Sequence, residues 1–381
     1  MSKKFLCSAP WQGLFVNPDG SFRICCAGDD IGNLNTQTLD EVLASPILTK
    51  LQDDMLNQGY SDYCHTCVEL EAVSGKSLRE QFKTDLTVVD TTEYNPTNID
   101  VRWRNTCQLR CGYCHSSWSS TYAAWAGDTT KYNTRDWQTE LLAFLRKADP
   151  DTRYHFVAML GGEPLLLKEN IELADIIAPD TLICILTNLA LPKLDTNPVY
   201  KKLINRNMSW FVSMENIGNK LEYTRRNAKW EVVDANYRKV LREHTPGSAI
   251  RCHMTYCILS AFTLCETFDW CYSVETDHNE HALAILTGPG EFNVLSYPRE
   301  IKELAIKEID TTMTKHAGYL VPGQTDFLTS VRATLMGCLD TYNIADIKRF
   351  KEYVDESDKT MAPISFASEW PEVAAILEKY W

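Results

Sequence analysis

The stretch Ile99-Asp100-Val101-Arg102-Trp103-Arg104-Asn105-Thr106-Cys107-Gln108-Leu109-Arg110-Cys111-Gly112-Tyr113-Cys114 decides how this chain is read. Residues 99–104 form a strand candidate, and the loop after it spaces three cysteines as Cys-x3-Cys-x2-Cys. Three thiolates on a tight loop can each reach one iron of a cubane [4Fe–4S] cluster, which leaves the fourth iron without a protein ligand. A reactive cluster needs such an open iron, whereas a purely electron-carrying cluster is normally closed by four cysteines. The competing zinc site wants paired Cys-x2-Cys or a histidine at fixed spacing. His115 follows Cys114 directly and is poorly placed to share one tetrahedron with it.

From residue 99 to 289, short apolar runs alternate with helical patterns. Strand candidates lie at 99–104, 155–160, 182–186, 209–214, 250–258 and 282–286, with helix candidates near 136–147, 168–177, 199–205, 232–243 and 262–271. That alternation predicts βαβ units, right-handed crossovers and a parallel sheet. The fold class is therefore α/β, a partial (β/α)6 barrel two units short of a full one. The cysteine loop follows the first strand, where active sites of such folds collect. Three later strand ends are also polar: Gly161-Gly162-Glu163-Pro164, Thr187-Asn188, and Ser213-Met214-Glu215. Two glycines let backbone approach a ligand closely, and alternation puts Ser213 and Glu215 on one face. Each also has a plain reading as a strand running into a turn.

Taken together, Cys-x3-Cys-x-aromatic-Cys and these strand ends resemble the radical SAM superfamily. The resemblance implies that the open iron on Cys107, Cys111 and Cys114 holds S-adenosylmethionine. One electron then cleaves the sulfonium to a 5′-deoxyadenosyl radical, which takes hydrogen from substrate. By the same resemblance Tyr113 packs near the adenine, and Gly161, Gly162, Glu163 and Pro164 bind the amino group. Thr187 and Asn188 match the family's Thr-Asn, and Ser213 and Glu215 bond the ribose. Arg225 pairs the carboxylate, although Arg226 is an equally good chemical candidate. Gln108 departs from the asparagine many members carry there.

Residues 1–92 look different, with five cysteines, turn-rich patches and little apolar sequence, as suits a small metal-stapled module. Cys7-x12-Gly20-x4-Cys25 with Cys64-x2-Cys67 resembles the SPASM and twitch auxiliary-cluster domains of radical SAM enzymes, here placed ahead of the barrel. That implies a second [4Fe–4S] cluster on Cys7, Cys25, Cys64 and Cys67. Zinc held by four cysteines, or by three with His65, stays open, as does Cys26 in place of Cys25. A polar, proline-bearing linker is expected at 91–98, the barrel at 99–289, and a mostly helical tail at 290–381. Cys252, Cys257, Cys265 and Cys271 are expected to be buried thiols rather than a third cluster, and Cys184 and Cys338 core residues.

The chain has 381 residues, 14 cysteines and a net charge of −13. It is 44% hydrophobic and 23% charged, an ordinary globular composition, with no run near the roughly 20 apolar residues of a membrane span. No apolar run follows Lys3-Lys4, so a secretory signal is not expected. The acidic balance argues against nucleic acid as a partner. A reducing, cytoplasmic setting suits oxygen-sensitive clusters. The implied activity is that of a radical SAM oxidoreductase or maturase acting on a peptide or protein side chain, served by a donor such as flavodoxin or ferredoxin. The alternatives are a twitch-type alcohol dehydrogenase of a sugar or cyclitol, and a non-catalytic iron–sulfur scaffold. The catalytic acid, base and radical quencher are not legible, with Arg102, His253, Tyr256 and Glu275 among the substrate-side candidates.

Overall fold

The computed structural model describes residues 6–74, 77–80, 82–84, 91, 93–147, 154–274 and 280–381. Glu275 lies outside these. Packing divides the chain into two units, one of Met1–Cys107, Ser116–Ile185 and Asn197–Met208, the other of Gln108–His115, Leu186–Thr196 and Ser209–Trp381.

In the first unit the strand Asn98–Val101 pairs in parallel with Phe156–Met159, which pairs in parallel with Ile183–Thr187. Ile99, Val101, Val157, Met159, Ile183 and Ile185 are all fully buried. The helix Trp137–Arg146 provides cover. Asp136 caps it by accepting from the Thr139 amide, and Leu141, Leu142 and Leu145 fall on one buried stripe. On its other side Asn98–Val101 pairs in parallel with Gly13–Val16, which continues antiparallel through Ser21–Arg23 to Gly32–Asn33. The N-terminal segment thus contributes strands to this sheet. Within the expected linker, residues 93–98 run along Trp11–Gly13. Asn95 N donates to the Trp11 carbonyl, Thr97 N to that of Gln12, and the Tyr94 hydroxyl to that of Gly13.

In the second unit Met208–Ser213 pairs in parallel with Ala249–Tyr256, which pairs in parallel with Ala282–Ile285. Along Ala249–Tyr256 the side chains of Ile250, Cys252, Met254 and Tyr256 are buried, and Arg251, His253 and Thr255 are half-buried on the opposite face. Tyr256 therefore belongs to the core and is no substrate-side candidate. The helix Trp230–Glu243 buries Val233, Tyr237 and Val240 at helical spacing. The tail is helical at Arg299–Lys315, Pro322–Gly337, Ile344–Met361, Phe366–Glu369 and Pro371–Leu377, and its aromatics Phe350, Phe366 and Trp370 share a core with Phe292 and Tyr297.

All six strands expected of the partial (β/α)6 barrel form, each unit holding three parallel ones, and the fold is α/β with a helical C-terminal extension. Cys184 and Cys338 are half-buried rather than core. No helix among the described residues is long and apolar enough to cross a membrane.

Candidate active site

Cys107 ends the first stretch of the first unit, where the start of the helix Ser120–Ala126 holds its backbone. The Cys107 amide donates to Ser120 Oγ at 3.2 Å, and its carbonyl accepts from Thr121 Oγ1 at 2.6 Å. The approach to the loop is braced by Gly161 and Gly162. A Cβ on Gly162 would lie 2.3 Å from the Thr106 carbonyl oxygen, and Gly161 has φ +118°, so both positions require glycine. The Glu163 amide donates to the Thr106 carbonyl at 2.8 Å. Its buried carboxylate accepts from Leu165 N at 3.1 Å, capping the turn Pro164–Leu166.

Cys111, Tyr113 and Cys114 lie in the second unit. Arg110–Cys111 pairs antiparallel with Arg225–Arg226, and successive residues on a strand face opposite ways. Arg225 turns toward the cysteines. It donates to Glu215 Oε2 through Nε at 3.0 Å and Nη2 at 2.6 Å, and its Nη1 lies 3.7 Å from Cys111 Sγ. Its Nη2 also meets the Tyr113 hydroxyl at 2.8 Å, and that hydroxyl donates to Glu215 Oε1 at 2.8 Å. Burial opposes the Arg225 charge, but Glu215, Tyr113 and Cys111 more than offset this and hold its pKa well above the ordinary range. Burial raises the Cys114 thiol, with Arg225 opposing. Arg226 faces away, bonded to Glu356 and Ser357 with its guanidinium over the Tyr353 ring.

Two contacts had no sequence signal beyond residue type. Gln108 Nε2 donates to Asn188 Oδ1 at 2.9 Å, so the departure at position 108 ties the loop to the Thr187-Asn188 turn. That turn is tight. Thr187 Oγ1 accepts from Leu189 N, Asn188 Oδ1 from Ala190 N, and Leu189 sits at φ +49°. The tail also reaches the loop: Arg110 pairs with Glu356 at 3.1 Å, and the Tyr353 ring fills the space a Cβ on Gly112 would need. Ser213 stands beside His253 in register on the half-buried face, and burial lowers the His253 pKa, as does Arg225.

Cys7, Cys25, Cys64 and Cys67 line one cavity in the first unit with Arg79, while Cys26 is exposed and does not line it. Burial, aided by the neighbouring thiols, pushes Cys7 and Cys25 up to about 12. His65 is exposed, 3.6 Å from Asp29, and is not in the lining. Among the described residues, the groups close enough for a single ion are Cys252–Cys271–His281 and Cys265–Asp269–His316. Cluster ligands bind as thiolates, so the burial that keeps protons on Cys7 and Cys25 opposes ligation until a metal displaces them.

The family model of the radical SAM superfamily matches residues 102–264. Residues 102–264 are a radical SAM domain. The model of the SPASM iron-sulfur cluster-binding domain matches residues 7–68, spanning the first to the last of the four N-terminal cysteines. This radical SAM enzyme therefore carries a SAM-binding [4Fe–4S] cluster and an auxiliary one, with S-adenosylmethionine as a partner. Among solved structures, Streptococcus suis SuiB bound to S-adenosylmethionine aligns with 83% of this chain and 69% of its own, at 15% identity and a TM-score of 0.40. No curated protein matches.

Proposed function

We propose that this radical SAM enzyme abstracts hydrogen from a peptide or protein side chain, with Cys107, Cys111 and Cys114 holding the SAM-binding cluster and Cys7, Cys25, Cys64 and Cys67 the auxiliary one. The observation that carries the reading is a SPASM match and a radical SAM match on one chain, a pairing common among peptide-modifying relatives. With clusters and S-adenosylmethionine bound, the site supplies one-electron cleavage of the sulfonium and a sink for the electron that substrate oxidation releases. A small reductant such as flavodoxin or ferredoxin provides the priming electron, and a cytoplasmic setting keeps it reduced.

The chain's own residues supply position and charge. Arg225 places a buried cation beside Cys111 and opposite Glu215, so negative charge on the loop is favoured. Tyr113 is fixed by both partners and offers its ring as a wall for an adenine. Glu163, Thr187, Asn188 and Ser213 add polar groups at strand ends, the first three buried. Arg251, His253 and Thr255 share the half-buried face with Ser213, a polar surface suited to an amide-rich substrate.

The test is anaerobic. The reconstituted enzyme is given dithionite and S-adenosylmethionine, and 5′-deoxyadenosine is quantified with added peptide pools and, separately, with sugars and cyclitols. Stimulation by peptides, absent in the triple variant Cys107→Ala, Cys111→Ala, Cys114→Ala, is expected. Stimulation by cyclitols alone would transfer the reading to alcohol oxidation.

A further inference from the structure

Among the described residues, two donor groups outside the proposed cluster cysteines are spaced for a single ion, and their chemistry separates them. In the first, Cys252 Sγ and Cys271 Sγ lie 3.4 Å apart, but His281 Nδ1 accepts the Cys252 amide at 3.1 Å. A neutral imidazole accepting at Nδ1 carries its proton on Nε2, which leaves no lone pair for an ion. That group is a packed thiol pair.

The second group has no such bar. Cys265 and Asp269 are four residues apart on the helix Leu264–Val274, and so share one face. His316 caps the C-terminal end of the helix Arg299–Lys315, with its ring against Phe268 at 5.9 Å and Tyr272 at 5.2 Å. From that fixed ring, Nε2 lies 3.9 Å from Cys265 Sγ and 3.5 Å from Asp269 Oδ1. A tetrahedral zinc ion, with bonds of about 2.3 Å to sulfur and about 2.0 Å to nitrogen and oxygen, sets those edges at about 3.6 and 3.3 Å. Both observed edges are within a few tenths of an ångström of these values. We propose that Cys265, Asp269 and His316 bind a divalent cation of the zinc class, with a fourth position open to water.

The surroundings agree with a dication. Glu308 accepts the Cys265 amide at 2.8 Å, and Glu266 adds a further negative charge near the thiol. Against these stand Lys220, which is held by Glu266, and Lys315, which holds Asp269 at 2.6 Å. Lys315 is half-exposed on a flexible stem, so yielding Asp269 to a stronger cation costs it little. The three donors lie beyond residues 7–68 and 102–264, and the bound ion would join the helix Leu264–Val274 to the end of Arg299–Lys315. Three protein donors and an open position set this site apart from closed, four-ligand structural zinc.

The test uses the full chain with its iron and sulfide restored first. The protein is equilibrated with zinc chloride and desalted, and the retained metal is counted by mass spectrometry and its shell read by zinc K-edge X-ray absorption. One zinc per chain is expected, with a single sulfur and otherwise nitrogen and oxygen neighbours. Cys265→Ser/His316→Gln should lose it at unchanged iron content. Lys315→Ala, which frees Asp269, should hold zinc several-fold more tightly against a chelator. Absence of retained zinc, a shell of three or four sulfurs, or no gain in Lys315→Ala would overturn the proposal. The wild-type spectrum and Lys315→Ala decide it even if the double variant fails to fold.

Discussion

Arg225 and Arg226 are neighbours in the chain and differ in what they do, because a two-residue strand turns successive side chains to opposite faces. Arg225 and Glu215 form an ion pair whose side chains are only 8% and 1% exposed. Both charges have left water, so each depends on the other and on Tyr113 to be tolerated there. Glu215→Gln leaves Arg225 buried without its counter-charge and is expected to cost about 3 kcal/mol, the range for breaking one side of such a pair. The double variant Glu215→Gln/Arg225→Gln should recover part of that, since it removes the stranded cation. Thermal melts of the single and double variants, followed anaerobically, measure both effects. Equal melting temperatures for wild type and Glu215→Gln would show that the pair carries no such dependence.

The helix Ile344–Met361 is the element that fixes the cysteine loop in the second unit. Its Tyr353 packs on Gly112, and its Glu356 meets both Arg110 and Arg226. Burial alone would raise the Glu356 pKa, but the two arginines outweigh it and hold it below the ordinary 4.5. A depressed carboxylate contributes fully above its unfolded pKa and loses that contribution as pH falls through the lower folded value. Glu356→Gln should therefore cost about 0.5–1 kcal/mol at pH 7, since water screens a side chain 34% exposed, and nothing at strongly acidic pH. Its iron content should fall at the loop and its 5′-deoxyadenosine formation several-fold. Unchanged turnover and iron would show that the helix is mere packing. This grip was not legible in the sequence, because the partners are 246 and 130 residues apart and each reads as a solvated charge. The six barrel strands were legible, because short apolar runs punctuated by helical spacing carry their own period. The strand Gly13–Val16 was not. Its four residues are all buried, so it shows no alternation and reads as part of a turn-rich segment.

Over the whole molecule, half of the 14 cysteines make up the two proposed sets, which follow one another in the chain and differ in spacing. The doublet Cys25-Cys26 is where spacing reaches its limit, since one residue either way fits the pattern nearly as well. Adjacent side chains point apart, and the fold sends Cys25 into the cavity with Cys7, Cys64 and Cys67 while leaving Cys26 exposed. Burial raises the Cys26 thiol too, and the charges that act on it are Asp100 and Arg102 rather than the cavity cysteines first. Two [4Fe–4S] clusters give about eight irons per chain. Cys25→Ser is expected to lose about half of that iron, and Cys26→Ser almost none. The two variants should also separate the functions of the cysteine sets. On the proposed assignment S-adenosylmethionine cleavage depends on Cys107, Cys111 and Cys114, so it should persist in Cys25→Ser, while conversion of a substrate that needs an electron sink should fail. Iron and sulfide analysis beside 5′-deoxyadenosine yield reads both at once. If Cys26→Ser were the variant to lose iron, the doublet would have to reorganise on cluster binding, and the cavity would mark the cysteines that gather rather than those that ligate.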